Sequence, residues 1–279
     1  MSDAAPAQST DTSASIGQPR VHLRRTDSTN ERARELALAG APHGTLVTAS
    51  EQTAGRGRQG RRWSAPAGSS LLASLLLRWP ISDRPPTLLP LIAAVAVCDV
   101  AGADALIKWP NDVVVASSPE GETTGAGAGA GLAKLAGILI EGRPQAGWMV
   151  LGIGLNVAVR LDEMPPELQA GPDGRAALGA GLPAATLGLG AEDVEPLLAQ
   201  LLDALARRLG EPPDATLQAW RARDALHGRE IAWGTQGTVD PLGRGRAEGI
   251  DGEGRLVVAL ADGGRTTIGA GEVHLRAIA

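Results

Sequence analysis

A nearly unbroken apolar run covers Ser70–Trp79, with turn-forming residues on both sides of it. A short apolar run bounded in this way predicts a buried strand. Three more strands are predicted at Thr45–Ser50, Leu135–Glu141 and Trp148–Val159. The longest apolar stretch, Leu88–Cys98, is too short to cross a membrane. The chain is therefore expected to fold around a buried sheet rather than within a bilayer.

Four helical segments are predicted. The first begins with a capping-box pattern in which Ser28 is the N-cap and Glu31 is the third helical residue, and it ends at Gly40. The third has its aliphatic residues on one face, acids at its start and arginines at its end, as the helix dipole favours. The second, third and fourth helices are predicted at Leu88–Ala101, Glu192–Leu209 and Asp214–Leu226.

The predicted secondary structure of the chain changes after Gly228. Short strand-like segments alternate there with turns, among them the hairpin signal Asp251-Gly252. This pattern predicts a small all-β module at 228–279, behind a larger domain at 20–227. Residues 1–19 are small and polar and predict a disordered tail. The strands predicted in the module are Glu230–Trp233, Gly237–Val239, Ala247–Asp251, Leu256–Leu260, Thr266–Ile268 and Val273–Ile278.

Composition excludes several classes of protein. The 279 residues carry a net charge of −5, which argues against broad binding to nucleic acid. Cys98 is the only cysteine, so no disulfide framework exists, and the four histidines are too scattered to predict a metal site. Residues 1–19 lack the basic start and apolar centre of a secretion signal. We therefore expect a cytoplasmic protein without a membrane anchor.

The segment Gln52–Trp63 combines arginines with glycines and ends in a tryptophan. Glycine lets backbone N–H groups approach a ligand closely, and arginine offers a planar cation that suits carboxylate and phosphate. Trp63 adds a flat face for a ring. On an acidic protein, this local positive charge indicates a clamp for an anionic small molecule such as a nucleotide. The segment is not a Walker loop, because it lacks the Lys-Ser/Thr ending and the spacing.

Two other segments frame the remaining candidate residues. Ala105–Ala116 is strand-like but broken at Trp109–Asp112, where Pro110 predicts an irregularity or a bulge. Residues 117–131 follow as a loop of small residues, and Lys134 opens the next strand. A lysine in this place could simply lie along a sheet edge with its ammonium group in water.

Other candidate residues also have a structural interpretation. Asn111 and Asp112 could bond nearby backbone in an Asx-turn instead of facing a nucleotide or Mg²⁺. Trp63 could belong to the core, and Asn156 could be a turn residue. The arginines could form a solvated loop or a weak polyanion patch.

Five motifs, taken in order, resemble those of the biotin–protein ligases. They are Asp27–Asn30, Glu51–Arg58, Lys108–Asp112, Lys134–Leu139 and Gly152–Asn156. Each motif alone would be weak, whereas the ordered set is specific. The resemblance covers residues 21–279 and implies an α+β fold. In this fold a central mixed β-sheet is flanked by helices, as in the class II synthetase-like biotin and lipoate ligases, and a small SH3-like β-barrel follows.

The resemblance also implies a ligase with two half-reactions. Biotin and ATP give biotinyl-5′-AMP and pyrophosphate in the presence of Mg²⁺, and biotin then passes to a lysine of a biotin carboxyl carrier protein. Some members carry an N-terminal DNA-binding domain, but here only a polar tail precedes the first motif, so we expect no DNA binding. Members often pair through the central sheet, which makes a homodimer plausible.

The resemblance assigns roles to single residues. Lys134 and Arg58 are the predicted catalytic cations, with Lys134 at the biotin carboxylate and Arg58 at the phosphate. Asp112 is the predicted Mg²⁺ ligand. The predicted biotin-binding residues are Ser28, Thr29, Asn30, Gln52, Arg56, Gly57, Arg58, Lys134 and Gly137. The predicted nucleotide-binding residues are Gly55, Arg56, Arg58, Arg61, Trp63, Asn111, Asp112 and Asn156.

Three rival functions stay open at this point. A lipoate–protein ligase shares the fold and the adenylation chemistry, although Gln52 followed by two Gly-Arg pairs favours biotin. A nucleic-acid-binding module could use the arginines, but the negative net charge and the lack of interleaved aromatic residues argue against it. A biotin sensor without turnover would show the same motifs. The spacer between Asp112 and Lys134 is longer than is usual in the family, which predicts a surface insertion.

Overall fold

The computed structural model describes residues 16–78, 85–117, 131–163, 182–234, 241–270 and 274–277. The strands are β1 Arg20–Leu23, β2 Leu46–Ala49, β3 Ser70–Arg78, β4 Leu106–Lys108, β5 Asp112–Ser117, β6 Gly131–Arg143, β7 Trp148–Asn156, β8 Glu230–Gly234, β9 Gly243–Ile250, β10 Leu256–Ala259, β11 Arg265–Ile268 and β12 His274–Ala277. The helices are α1 Thr29–Leu38, α2 Leu89–Ala101, α3 Val194–Gly210 and α4 Pro213–Arg221.

The strands form two sheets. The larger one has seven strands in the order β1-β2-β3-β7-β6-β5-β4. It is mixed, because β1 and β2 are parallel while the other neighbours are antiparallel. The second sheet has five antiparallel strands in the order β11-β10-β9-β8-β12 and is open among the described residues. The predicted α+β fold with a small β module is confirmed.

The apolar run of β3 is continuous because both faces of this central strand are covered. Leu71, Leu75 and Leu77 point into the main core, which they share with the buried helix α2 and the apolar face of α3. Leu76 points to the opposite face, where it packs with Ala33 of α1. Alternating side chains of a strand fall on opposite faces, so an apolar residue is needed at nearly every position.

Helix α1 covers only one half of its face of the sheet. Ala33 and Ala37 of α1 pack there against Leu76 of β3 and Val150 of β7. Beyond that contact, the same face carries small residues in register, with Gly137 of β6 opposite Gly154 of β7. The glycines leave the backbone uncovered between the register positions of Leu72 and Leu139, and this strip forms the floor of the site described below.

The small β module joins the core of the larger domain. Ile231, Ile250 and Leu256 belong to the same hydrophobic cluster as helix α2. The indole Nε1 of the fully buried Trp109, in the turn between β4 and β5, donates a hydrogen bond of 3.0 Å to the carbonyl of Gly254. The module is therefore packed directly on the β4–β5 hairpin.

The predicted capping box is wrong in its bonding. Ser28 has the extended backbone of an N-cap, but among the described residues its side chain makes no capping bond. The backbone N–H of Ser28, which Glu31 would serve in a capping box, donates instead to Asp27 Oδ1 at 2.7 Å, and Gln52 Oε1 accepts the backbone N–H of Thr29 at 2.7 Å. Glu31 instead forms ion pairs with Arg34 and Arg56. Two arginines close to Glu31 outcompete its own helix terminus for the carboxylate.

Local details differ from the predictions. The break expected within Ala105–Ala116 is the turn of a hairpin, with Trp109-Pro110-Asn111 between β4 and β5. Helix α4 ends at Arg221 rather than Leu226, because the following residues bond to Ile107 of β4 instead. The bulge lies in the pairing of β5 with β6, where the register shifts after Val113.

The expected disordered tail is too long at its C-terminal end. Gly17 donates its backbone N–H to Gly44 at 2.9 Å, and Ile16 packs against the core. Strand β1, which follows directly, was not predicted. Residues 1–15, the strand expected at Gly237–Val239 and residues 118–130 of the small-residue loop lie outside the described residues. No helix in the described ranges is long and apolar enough to span a membrane.

Candidate active site

The candidate site lies on the half of the sheet that α1 leaves open. A Cβ atom on Gly154 would lie 2.6 Å from the indole ring of Trp63, and one on Gly152 would overlap the side-chain oxygen of Asn30. The motif Gly152-Ile153-Gly154 is thereby explained, since its two glycines make room for Asn30 and Trp63. Trp63 also lies over Gly137, where an added Cβ would be 3.1 Å from the ring.

A polar pocket lies at the end of this floor next to α1. Two hydrogen bonds join Thr29 to Gln52. The backbone N–H of Thr29 donates to Gln52 Oε1 at 2.7 Å, and the hydroxyl of Thr29 donates to the same oxygen at 3.0 Å. The hydroxyl of Ser74 reaches Asn30 Oδ1 at 2.6 Å and Thr29 Oγ1 at 2.8 Å, and its single proton can serve one of them at a time. Ser28 is buried beside Thr29. The structure thus brings together four of the predicted biotin-binding residues, Ser28, Thr29, Asn30 and Gln52.

The arginine segment forms a short hairpin over the floor. Trp63 donates its backbone N–H to Gly55 at 2.9 Å, and Gly57 donates to Arg61 at 2.7 Å. A side chain at Gly55 would overlap the carbonyl of Trp63, so this position requires glycine. The hairpin turns at residues 58–60, where Gln59 takes a left-handed φ of 55°. This geometry places the indole of Trp63 back against the sheet.

A cluster of cations lies at the other end of the floor. The ammonium of Lys134 is 2.6 Å from the Asp112 carboxylate and 5.7 Å from the centre of the Trp63 ring. Arg58 donates to Asn111 Oδ1 at 3.0 Å and to the carbonyl of Ala270 in the small β module. The predicted residues Arg58, Asn111, Asp112 and Lys134 therefore meet in one place, next to the β module.

The charge of this cluster suits an anion. Burial alone would raise the pKa of Asp112, but Lys134 and Lys108 outweigh it and hold the pKa below its usual value. Burial lowers the pKa of Lys108, which faces Asp112 across the β4–β5 hairpin. Burial also lowers the pKa of Arg58. With three cations around one carboxylate, the cluster has an excess of positive charge, and a phosphate chain would relieve it.

The comparisons with known proteins identify the family. Residues 22–157 match the Biotin/lipoate A/B protein ligase family, and residues 227–276 match the Biotin protein ligase C terminal domain. The Biotin--[acetyl-CoA-carboxylase] ligase of Mycobacterium tuberculosis is 34% identical over 268 residues, which are 90% of this chain and 87% of that protein. This chain belongs to the biotin protein ligase family. The membership predicted from the five motifs is confirmed.

Other members of the biotin protein ligase family are also similar to this chain. A protein of the same name from Paracoccus denitrificans is 35% identical over 90% of this chain and 98% of its own length. The Bifunctional ligase/repressor BirA of Bacillus subtilis is 36% identical over 161 residues, and the match spans only 45% of that protein. The biotin protein ligase of Aquifex aeolicus, solved with biotin and ATP, superimposes with a TM-score of 0.70 at 23% identity, over 94% of this chain and 100% of that one.

Arg56 lies apart from the cation cluster in this member of the biotin protein ligase family. Its half-exposed guanidinium contacts Glu31 and Glu141, each at 3.0 Å. Asn156 is buried, with its amide donating to Ala185 at 2.8 Å and its oxygen accepting from Ser70 at 3.3 Å. These contacts support a structural part for both side chains, and their predicted ligand contacts stay predictions.

The predicted metal role of Asp112 has modest support. The described residues contain no group of three or more His, Cys, Asp or Glu that could hold a metal ion. Asp112 itself is paired with Lys134. Such a site does not fit a metal bound by protein alone, but one carboxylate fits a Mg²⁺ ion that is held mainly by the phosphates of a nucleotide.

Sequence reasoning missed three contributors to the site. Ser74 is the lone polar side chain in the middle of the apolar run of β3, and this interruption was the available signal. Lys108 stands in the same motif as Asn111 and Asp112 but received no role. Glu141 ends an apolar strand segment, and no local pattern shows that its carboxylate meets residues from α1 and from the arginine segment.

Proposed function

We propose that this protein activates biotin with ATP to biotinyl-5′-AMP and then transfers biotin to a lysine of a biotin carboxyl carrier protein. One observation carries the proposal. A neutral polar pocket at Thr29, Asn30 and Gln52 and a cationic cluster at Arg58 and Lys134 lie at opposite ends of one glycine floor beneath Trp63. Biotin has matching parts: a neutral ureido ring, an apolar middle and a carboxylate.

The polar pocket suits the ureido group. A buried polar group left without a partner costs about 1–3 kcal/mol, so donors and acceptors must both be supplied. The amide of Asn30, the amide of Gln52 and the hydroxyl of Thr29 provide both kinds. The indole Nε1 of Trp63 is buried without a hydrogen-bond partner in the described part of the chain, which supports a ligand acceptor at the edge of the ring.

The cationic cluster suits the adenylation step. In this step a biotin carboxylate oxygen attacks the α-phosphorus of ATP, the new acyl–phosphate bond forms and pyrophosphate leaves. Two like unit charges about 4 Å apart repel by about 4 kcal/mol at an effective dielectric near 20. Lys134 and Arg58 offset that repulsion as fixed cations that need no rearrangement during the reaction. Mg²⁺ bound to the phosphates would supply further neutralisation.

The same site would hold the adenylate for transfer. The uncharged ε-amine of a carrier lysine attacks the acyl carbonyl, an amide forms and AMP leaves with the bonding electrons. Closure by the arginine segment and Trp63 would exclude water, which would otherwise hydrolyse the adenylate. The names of the Mycobacterium and Paracoccus relatives support a carrier that belongs to acetyl-CoA carboxylase.

The domain division is part of the same proposal. A catalytic domain at 20–227 and a β module at 228–279 are supported by the two family matches, at 22–157 and 227–276. The Ala270 carbonyl on Arg58 supports a part for the module in closing the nucleotide end. Pairing of two copies through the central sheet and the lack of DNA binding stay predictions.

Biotin-dependent exchange of labelled pyrophosphate into ATP tests the activation step. We expect exchange with biotin and none with lipoate. Lys134→Ala should lower exchange by at least about tenfold, equivalent to 1.4 kcal/mol of transition-state stabilisation, because the variant lacks one fixed cation. Arg265→Ala, on the exposed side of the small sheet, is the matched control. A folded protein that shows no exchange with either acid would contradict the proposal.

A further inference from the structure

The carboxylate of Glu141 joins two parts of the site that are far apart in sequence. Its Oε2 accepts a hydrogen bond from the amide nitrogen of Asn30 at 2.9 Å. Its Oε1 lies 3.0 Å from the guanidinium of Arg56 in the arginine segment. Each carboxylate oxygen therefore has its own partner, one in the polar pocket and one in the hairpin that covers the floor.

The position of Glu141 follows from its strand. Residues 137, 139 and 141 of β6 alternate onto the face that carries the site, so Glu141 lies two strand positions beyond Leu139 and four beyond Gly137. Its side chain is 25% exposed, and that of Arg56 is 48% exposed. The pair thus lies at the rim of the pocket, where the covering hairpin meets the sheet.

Arg56 links the covering hairpin to two elements at once. One guanidinium nitrogen contacts Glu141 of β6, and another contacts Glu31 of α1 at 3.0 Å. Arg56 itself lies in the stem of the hairpin, in a bridge with Arg62. A side chain anchored on both sides in this way resists lifting of the stem, and charge-assisted bonds of this kind are stronger than neutral ones.

The second bond of Glu141 fixes the amide of Asn30. Asn30 donates to Glu141 and accepts from Ser74, which defines which end of the amide is oxygen. An asparagine side chain has two N–H groups and two acceptor lone pairs, and these bonds use one of each. The other N–H and lone pair match a ureido group, which itself carries N–H donors and a carbonyl acceptor.

We propose that Glu141 is a positioning residue that holds the arginine segment closed over the pocket and orients Asn30 for the ureido group. The second half of this statement rests on the proposed function, whereas the first half concerns the unliganded protein alone. Glu141 touches no reacting atom in this account. It acts through Arg56 and Asn30, and its removal should weaken biotin retention more than it slows the chemistry.

The variant Glu141→Gln tests the contact with Arg56 separately from the hydrogen bond to Asn30. The variant keeps an acceptor for Asn30 but loses the charge that faces Arg56. We expect faster hydrogen–deuterium exchange in peptides that cover residues 52–63 of the unliganded protein, by about threefold or more. The biotin Kd should rise about tenfold, while the rate of pyrophosphate exchange at saturating biotin changes by less than about twofold. A general loss of structure would instead lower that rate and speed exchange throughout the chain.

Three further variants keep the test decisive. Arg56→Gln breaks the same contact by changing the half-exposed Arg56. It therefore replaces Glu141→Gln in the test if that variant does not fold. The double variant should lose no more biotin affinity than Arg56→Gln alone, because both changes remove the Glu141–Arg56 contact and only Arg56→Gln also removes the contact with Glu31. Glu248→Gln removes the same charge from a pair with Arg265, 2.7 Å apart on the small sheet, and should leave the 52–63 peptides unchanged.

The outcomes separate this proposal from the proposed function. Unchanged exchange of the 52–63 peptides and unchanged biotin Kd in Glu141→Gln and Arg56→Gln would overturn the role of Glu141. Additive losses in the double variant would also overturn it. Faster peptide exchange in a protein that shows no biotin-dependent activity would leave the closing contact intact and reject the proposed function instead.

Discussion

At the scale of single residues, the site is defined by side chains that glycine makes room for. Gly152 accommodates Asn30, and Gly154 accommodates the Trp63 ring. Neither glycine has a left-handed φ, so the requirement is space rather than backbone conformation. The indole of Trp63 therefore packs directly on the backbone of β6 and β7.

Gly154→Ala tests the floor directly. The added methyl would lie 2.6 Å from the Trp63 ring, so the indole has to move away from the sheet. We expect the biotin Kd to rise at least about tenfold and stability to fall by about 1–3 kcal/mol from overpacking. Calorimetric titration and thermal unfolding measure the two effects. Gly210→Ala, where an added Cβ has nothing within 4 Å, should leave the biotin Kd unchanged and should not lower stability.

At the scale of elements, helix α1 depends on a residue from another segment. Gln52 accepts the backbone N–H of Thr29, the first residue of the helix, which the predicted capping box would have left without a partner. The helix is thereby tied to the start of the arginine segment. Binding at the pocket and the order of the α1 N-terminus should therefore change together.

Gln52→Ala should show this coupling. Loss of a capping acceptor costs about 1 kcal/mol of stability, and the same change removes a partner of the Thr29 hydroxyl. We expect a lower melting temperature together with weaker biotin binding. Gln200→Ala, on the exposed side of α3, should leave both unchanged. A stable Gln52→Ala protein with wild-type biotin affinity would reject the assignment.

The sequence predicted elements best where their patterns are long or strongly apolar. The strands β3 and β7 and the helix α2 lie close to their predicted bounds, because burial on both faces leaves little choice of residue. The break at Pro110 was predicted, but the reversal of the chain into a hairpin was not, since a turn of three residues resembles a local irregularity. The site was foreseen in its motif residues, but the contacts of Glu141, Ser74 and Gly152 depend on register between distant strands, which no local pattern shows.

At the scale of the whole molecule, one hydrophobic core includes both sheets and the helices on one side of the larger sheet. The rim of this core carries an ion-pair network between α2 and α3. Asp99 contacts Arg207 at 2.8 Å and Arg208 at 2.8 Å, and the side chains of Asp99 and Arg208 are only 16% and 15% exposed. This network links the two helices that cover the central strands.

Protonation of Asp99 should lower the stability of the protein at acidic pH. Burial alone would raise its pKa, but Arg208 and Arg207 outweigh burial and lower it. Its contribution is therefore fully present above the unfolded pKa, about 3.9, and is lost as pH falls through the lower folded value. Asp99→Asn should lower stability by about 1–3 kcal/mol at pH 7 and flatten the loss below pH 4. Chemical unfolding across pH measures this, and the exposed Asp203→Asn serves as control.

The most direct test of the account uses both half-reactions in sequence. The protein is incubated with ATP, Mg²⁺ and labelled biotin, freed of unbound ATP and biotin, and then mixed with a purified biotin carboxyl carrier domain. We predict that label bound as biotinyl-5′-AMP moves onto the carrier lysine without further ATP, and that Lys134→Ala retains little label to transfer. Recovery of labelled biotin that is unmodified, with none on the carrier, would contradict the account.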